Sequence, residues 1–207
     1  MMSKNYLTLL VVMILAGCTI QRAKGTIKEP RLINPNQKIT ILWDVGMFCH
    51  DSTVSCEMLK NSIYSKQYET CTTAHQERTF YKNGYSVKAI KVLKAGLNAV
   101  RVDTPYVLVL RNTDAVFVGL ASRLNPSLSG GLLASLKVES ELYDSKSGHM
   151  LWQGHSYWAN DAKNNGTPML LLVRALAADG FLNLKIENVV DYLGQTGSKD
   201  APEGCPE

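Results

Sequence analysis

Cys49-His50-Asp51 offers a nucleophile, a base and an orienting acid in three consecutive residues. Neighbours in sequence point in different directions, and catalytic partners are usually brought together from separate segments. The run is therefore not read as a triad. A wider set has metal-ligand chemistry: Cys49-His50, Cys56, and Cys71-x-x-x-His75. Thiolates and imidazoles suit a metal ion, but the C-x2-C element common in structural zinc sites is missing. No metal or other cofactor is expected. Ser129-Gly130-Gly131 reads as a flexible connection rather than an anion loop. No G-x-S-x-G, H-E-x-x-H or phosphate-binding loop occurs. No residue set names a reaction, so a non-enzymatic protein is expected.

Cys18 has different surroundings. Lys4 precedes Leu7–Leu15, nine residues apolar except Thr8, and Leu15-Ala16-Gly17-Cys18 closes the run. A spanning helix needs about 20 apolar residues, so residues 1–17 read as a signal peptide. Leu-Ala-Gly-Cys resembles the lipobox of bacterial lipoproteins. The resemblance implies cleavage before Cys18 and acylation of that cysteine. Each buried methylene contributes about 0.8 kcal/mol, so two or three acyl chains hold a protein on membrane lipid. Thr19 follows, where such lipoproteins carry aspartate for inner-membrane retention. The resemblance therefore implies the outer membrane, with the domain facing the periplasm.

With Cys18 carrying lipid, Cys49, Cys56, Cys71 and Cys205 remain, an even number in an oxidising compartment. Disulfides are expected. Of the three possible pairings, 49–56 with 71–205 is favoured, because Cys49 and Cys56 are close in sequence. The formal charge of +4 is too mild and too dispersed to indicate nucleic acid.

The elements that must position these residues make one domain over 38–194. It follows a flexible tether, 18–37, and precedes a polar tail, 195–207. KITILWDV, 38–45, alternates apolar and polar residues as a strand does. Ser52–Lys66 places Cys56, Leu59 and Ile63 at helical spacing. YVLVL, 106–110, and AVFVGLA, 115–121, read as buried strands separated by a turn at Asn112-Thr113-Asp114.

Residues 132–158 give the clearest signal, a β-hairpin turning at 144–148. Leu132, Ala134, Leu136, Val138 and Leu142 share one face with Trp152. Folding about Lys146 pairs Leu142 with Met150, Ser140 with Trp152 and Glu141 with Leu151. Lys137, Glu139, Glu141, His149 and His155 form the wet face beside the loop 123–131, and are the candidate partner-binding residues. Thr167-Pro168 opens a helix. Asp179-Gly180 can break it, and Leu182, Ile186, Val189 and Leu193 continue its period to Gly194. The expected fold is α/β (α+β): a mixed sheet of about four or five strands with a long hairpin, packed against two or three helices.

That order, with Asp144-x-x-x-Gly148 followed by Leu151-Trp152, resembles bacterial envelope lipoproteins with a TolB N-domain-like fold. They include CsgG-like curli export lipoproteins, LpoB-like activators of peptidoglycan synthases and PelC-like export lipoproteins. The resemblance covers roughly 38–193, and the cysteine-bearing 46–104 region departs from it. It implies an assembly or accessory factor of an envelope machine for export or cell-wall synthesis. The partner would be an envelope protein or further copies of the chain. A transmembrane hairpin of the curli-pore type needs two lipid-facing runs of about ten residues. Lys137, Glu139 and Glu141 argue against lipid on their face, so the hairpin is assigned to the core. The rival readings are a periplasmic enzyme or metal-binding protein using Cys49, His50, Cys71 and His75, and an oligomeric export-ring component.

Overall fold

The computed structural model describes residues 22–44, 66–92, 95–118, 132–159 and 168–190. The strands are β1 (Arg22–Ile27), β2 (Ile39–Asp44), β3 (Val87–Val92), β4 (Tyr106–Val118), β5 (Leu132–Asp144) and β6 (Met150–Ala159). The helices are α1 (Lys66–Lys82), between β2 and β3, and α2 (Pro168–Ala178), after β6. A 3-10 turn, Ile186–Asn188, follows α2. The strands form one mixed sheet in the order β1-β6-β5-β4-β2-β3. β2 runs parallel to β3 and β4, and all other pairs are antiparallel.

Alternation along the central strands builds two cores. Ile39, Ile41 and Trp43 of β2 and Tyr106, Leu108 and Leu110 of β4 face the helices. They pack with Phe80 of α1 and Leu172, Val173 and Leu176 of α2. On the opposite face Leu42, Val107 and Val109 pack under the strap 95–104, which supplies Ala95, Leu97, Val100 and Val102. Both faces of YVLVL are covered, which is why it reads as an unbroken apolar run. The strap stops short of β6 and β1, so the outer face there stays open: Gln153 and His155 of β6 and Lys24 of β1 are exposed.

Both helices end in the same way. Gly84 after α1 and Gly180 after α2 have positive φ, 83° and 78°. Tyr85 N donates to Phe80 O at 3.0 Å, and Phe181 N donates to Leu176 O at 2.9 Å. These six-to-one bonds satisfy carbonyls at each helix end and tuck an aromatic ring, Tyr85 or Phe181, into the core. Asn83 then clamps the chain beyond α2. Its Nδ2 donates to Val190 O at 2.8 Å, and its Oδ1 accepts from Val190 N at 3.1 Å.

The α+β class agrees with expectation, but the sheet has six strands rather than four or five. One extra strand is β1, inside the segment expected to be a tether. Residues 22–27 pair along β6, and Ile33 is fully buried against the segment after α2. Asn112-Thr113-Asp114 is not a turn. β4 passes through it with a register shift that absorbs one residue. The hairpin register also differs. Leu142 faces Trp152, Ser140 faces Gly154 and Glu141 faces Gln153, because Leu151 is an extra residue bulged into the core. Met150 therefore opposes Tyr143. The slip is two residues, which keeps the expected faces. The helical period expected to run on to Leu193 stops at Ala178, and beyond it the described chain holds only the 3-10 turn. The helix expected over Ser52–Lys66 lies almost wholly outside the described residues.

The hairpin turn is held by Asp144. Its Oδ1 accepts from Lys146 N at 3.0 Å and Ser147 N at 2.9 Å, and its Oδ2 accepts from Arg31. Gly148, with φ 71°, completes the turn. The Ser147 amide first, and the Arg31 guanidinium after it, lower the Asp144 pKa from its ordinary 3.8. The folded state thus favours the carboxylate. This stability is complete above the ordinary value and is lost as pH falls through the lowered one. Asp144→Ala should cost about 1–2 kcal/mol near neutral pH and flatten the acid limb of the stability curve. Urea midpoints across an acid-to-neutral series measure both. An unchanged acid limb in the variant would show that another carboxylate sets it.

Candidate partner-binding face

Antiparallel pairing places successive outer-face residues in rows across the sheet. One row reads Lys24, His155, Glu139, Arg111 and Asp44, from β1 to β2. The next, one pleat toward the start of β1, pairs Arg22, Tyr157 and Lys137. Pairs directly across strands lie close enough for opposite charges to interact. Lys24, His155, Glu139 and Lys137 thus share the part of this face that the strap leaves open. Lys137 and Glu139 are half-buried, and His155 is exposed.

The five expected residues do not act as one group. Lys137, Glu139 and His155 come together as expected. Glu141 is drawn the other way, toward β4 and the strap. Its Oε2 pairs with Arg111 Nη1 at 2.8 Å and accepts from the Tyr143 hydroxyl at 2.9 Å, and its side chain is only 14% exposed. Arg111 Nε also donates to Ala95 O at 2.9 Å, and Asp44 Oδ2 accepts from Ala95 N at 3.3 Å. These bonds pin the start of the strap across the sheet. Burial first, and then the bond to the Glu141 carboxylate, push Tyr143 up to about 12, so it stays a donor. Glu141 therefore braces Arg111, which in turn holds the strap. His149 is not on the strand face either. It sits in the turn, where its carbonyl accepts from Asp144 N and its amide donates to Ser147 Oγ. The loop 123–131 and the side chain of Trp158 lie outside the described residues.

Lys24, Arg111 and Asp44 complete the row and were not singled out from the sequence. Arg111 follows YVLVL with the parity of Val107 and Val109, a usable signal once that strand is placed. Lys24 carries no such signal, because its strand has no apolar alternation.

Of the cysteine and histidine set, Cys71 and His75 lie one turn apart on α1, both half-buried. Cys71 is not a free thiol, and His75 is engaged too. Cys18, Cys49, His50, Cys56 and Cys205 lie outside the described residues. Among the described residues no three His, Cys, Asp or Glu side chains group as metal ligands. No described helix is long and apolar enough to cross a membrane.

No family model and no curated protein matches the chain. Solved structures do resemble it. A PelC dodecamer from Paraburkholderia phytofirmans is 11% identical with a TM-score of 0.47, over 78% of this chain and 99% of that one. A variant of that dodecamer gives 13% and 0.44, over 78% and 98%. A lipoprotein from Neisseria meningitidis gives 18% and 0.28, over 68% and 96%. At TM-scores below 0.5 these likenesses carry no argument about what this chain does.

Proposed function

We propose that the chain is an outer-membrane lipoprotein, anchored through acylated Cys18, whose periplasmic domain serves as a non-enzymatic assembly or accessory factor of an envelope machine. The observation that carries this reading is the placement of Cys18. It closes a nine-residue apolar run, and only three residues separate it from the first described strand at Arg22. A lipid there puts a folded domain on a membrane surface. The domain has an open charged face, Lys24, His155, Glu139 and Lys137, and no described catalytic constellation. An envelope protein, or another copy of the chain, is the occupant this reading assigns to that face. Disulfides among Cys49, Cys56, Cys71 and Cys205 belong to the same reading, because acylation places the domain in an oxidising compartment.

Cys18→Ala tests the anchor. The wild type should partition with membranes and gain acyl mass. The variant should be released as a soluble protein or retained unprocessed with residues 1–17. Unchanged fractionation and unchanged mass would sink the proposal. Cross-linking in intact envelopes, from a photoreactive residue at position 139, identifies the partner.

A further inference from the structure

We infer that β1 is the docking edge for an extended acidic segment of another protein, which adds to the sheet as a further strand. The inference deepens the reading of a partner-binding domain and rests on it, but makes no use of lipid at Cys18. β1 and β3 are the two edges of the sheet. An edge strand presents backbone donors and acceptors that another chain can pair with. The two edges are finished differently. Ile39 N donates to Ser86 O at 3.1 Å, so the backbone groups of Val87 and Ala89 turn away from β2. The outward Ala89 N–H then donates to Glu77 Oε1 of α1 at 2.8 Å. A helix carboxylate thus plugs the β3 edge.

β1 has no such plug. Lys28 N donates to Leu151 O at 2.8 Å, continuing the register of β1 on β6. Bonded residues alternate along an antiparallel pair. Lys24 and Thr26 therefore turn their backbone groups to β6, and Ala23, Gly25 and Ile27 turn theirs outward. Among the described residues nothing bonds these outward groups. Thr26 is exposed, and Ile27 is 45% exposed.

Charge selects the occupant. The outer face of β1 and β6 holds Lys24 and His155, and the first carboxylate in their row is Glu139, on β5. Lys28 is exposed just beyond β1. A second copy of β1 fits badly. Two-fold antiparallel pairing about Gly25 sets Lys28 opposite Arg22 and puts the two copies of Lys24 on one diagonal. Like charges across strands destabilise a pair. A strand with a carboxylate at alternate positions meets Lys24 instead. Its intervening apolar residues then fall on the side of Ile27. Main-chain bonds supply the affinity of such an added strand, and alternate side chains its specificity.

The test uses the full-length protein and a capped nine-residue peptide of alternating glutamate and valine, with hydrogen exchange read at single amides. Gly25 and Ile27 should exchange freely in the free protein. Saturating peptide should slow both about ten-fold or more and leave Ala89 unchanged. The same peptide with lysine for glutamate should protect neither. Ile27→Pro removes an outward donor, spares the β6 ladder and should weaken the acidic peptide about ten-fold. Lys24→Glu should weaken it about five-fold with the backbone untouched. Slow exchange of Gly25 and Ile27 in the free monomer, no protection by the acidic peptide, or equal protection by both peptides would each overturn the inference. Protection that grows with protein concentration alone would overturn it in favour of a second copy. A partner cross-linked from position 139, with no peptide protection at β1, would leave the proposed function standing and remove this inference alone.

Discussion

Replacing Trp152 with alanine should destabilise the domain by about 3–5 kcal/mol, the largest effect of any single truncation in the hairpin. Its ring is 1% exposed, and its indole N–H donates to Asp179 Oδ2 at 2.7 Å. The bond ties β6 to the end of α2. The ring lies flat over two glycines that face each other in register, Gly154 of β6 and Gly25 of β1. A methyl group on Gly154 would sit 2.2 Å from the indole ring, and one on Gly25 would sit 2.0 Å from its nitrogen. Neither can be accepted without moving the tryptophan. Gly154→Ala should therefore also destabilise, by about 1–3 kcal/mol through overpacking. The two variants differ in signature. Trp152→Ala leaves a cavity and an unpaired Asp179, whereas Gly154→Ala keeps the ring and tilts it. Urea midpoints give the energies, and near-ultraviolet circular dichroism reports the tilt. A neutral Gly154→Ala would mean that the ring does not rest on β6.

The same tryptophan explains what the sequence conceals. β1 reads Arg-Ala-Lys-Gly-Thr-Ile, with no apolar alternation, so it passes for a linker. Gly25 is bare because Trp152 fills the space over it from the next strand, and Ile27 at the end of the strand is exposed. α1 is concealed for a related reason. It buries Gln76, Thr79 and Phe80, and a face with one large apolar residue gives no helical period. Where one element supplies its own apolar face, the reading holds. β2, the YVLVL part of β4, the two faces of β5 and the opening of α2 at Pro168 are all legible as period-two or period-3.6 patterns. The break at Asp179-Gly180 is legible too, since a glycine followed by an aromatic residue is the end signal both helices use. The candidate face is half legible. Parity alone finds Glu139, His155 and Lys137. It cannot foresee that Glu141 pairs with Arg111, which holds the strap, because the strap crosses the sheet from a distant part of the chain.

Leu142→Ala and Glu139→Ala should separate the two faces of β5 cleanly. Leu142 is fully buried opposite Trp152, among side chains that reach across from α2. Truncating it leaves a cavity and should cost about 2–5 kcal/mol. Glu139 is three residues earlier on the other face, half-buried beside His155, with no packed layer described above it. Its truncation should stay within about 0.5 kcal/mol, as surface changes do. A partner reading the charged row should nevertheless bind more weakly, because a carboxylate between Arg111 and His155 is removed. Glu141→Ala provides the internal control. That residue has the same parity as Glu139, but its partners are Arg111 and Tyr143, so its loss should cost more stability than the loss of Glu139. The order Leu142, Glu141, Glu139 in declining cost is what the register requires. If Glu139→Ala proved the most damaging and Leu142→Ala silent, β5 would be one residue out of register. The open charged row would then belong to the core, and no partner could reach it.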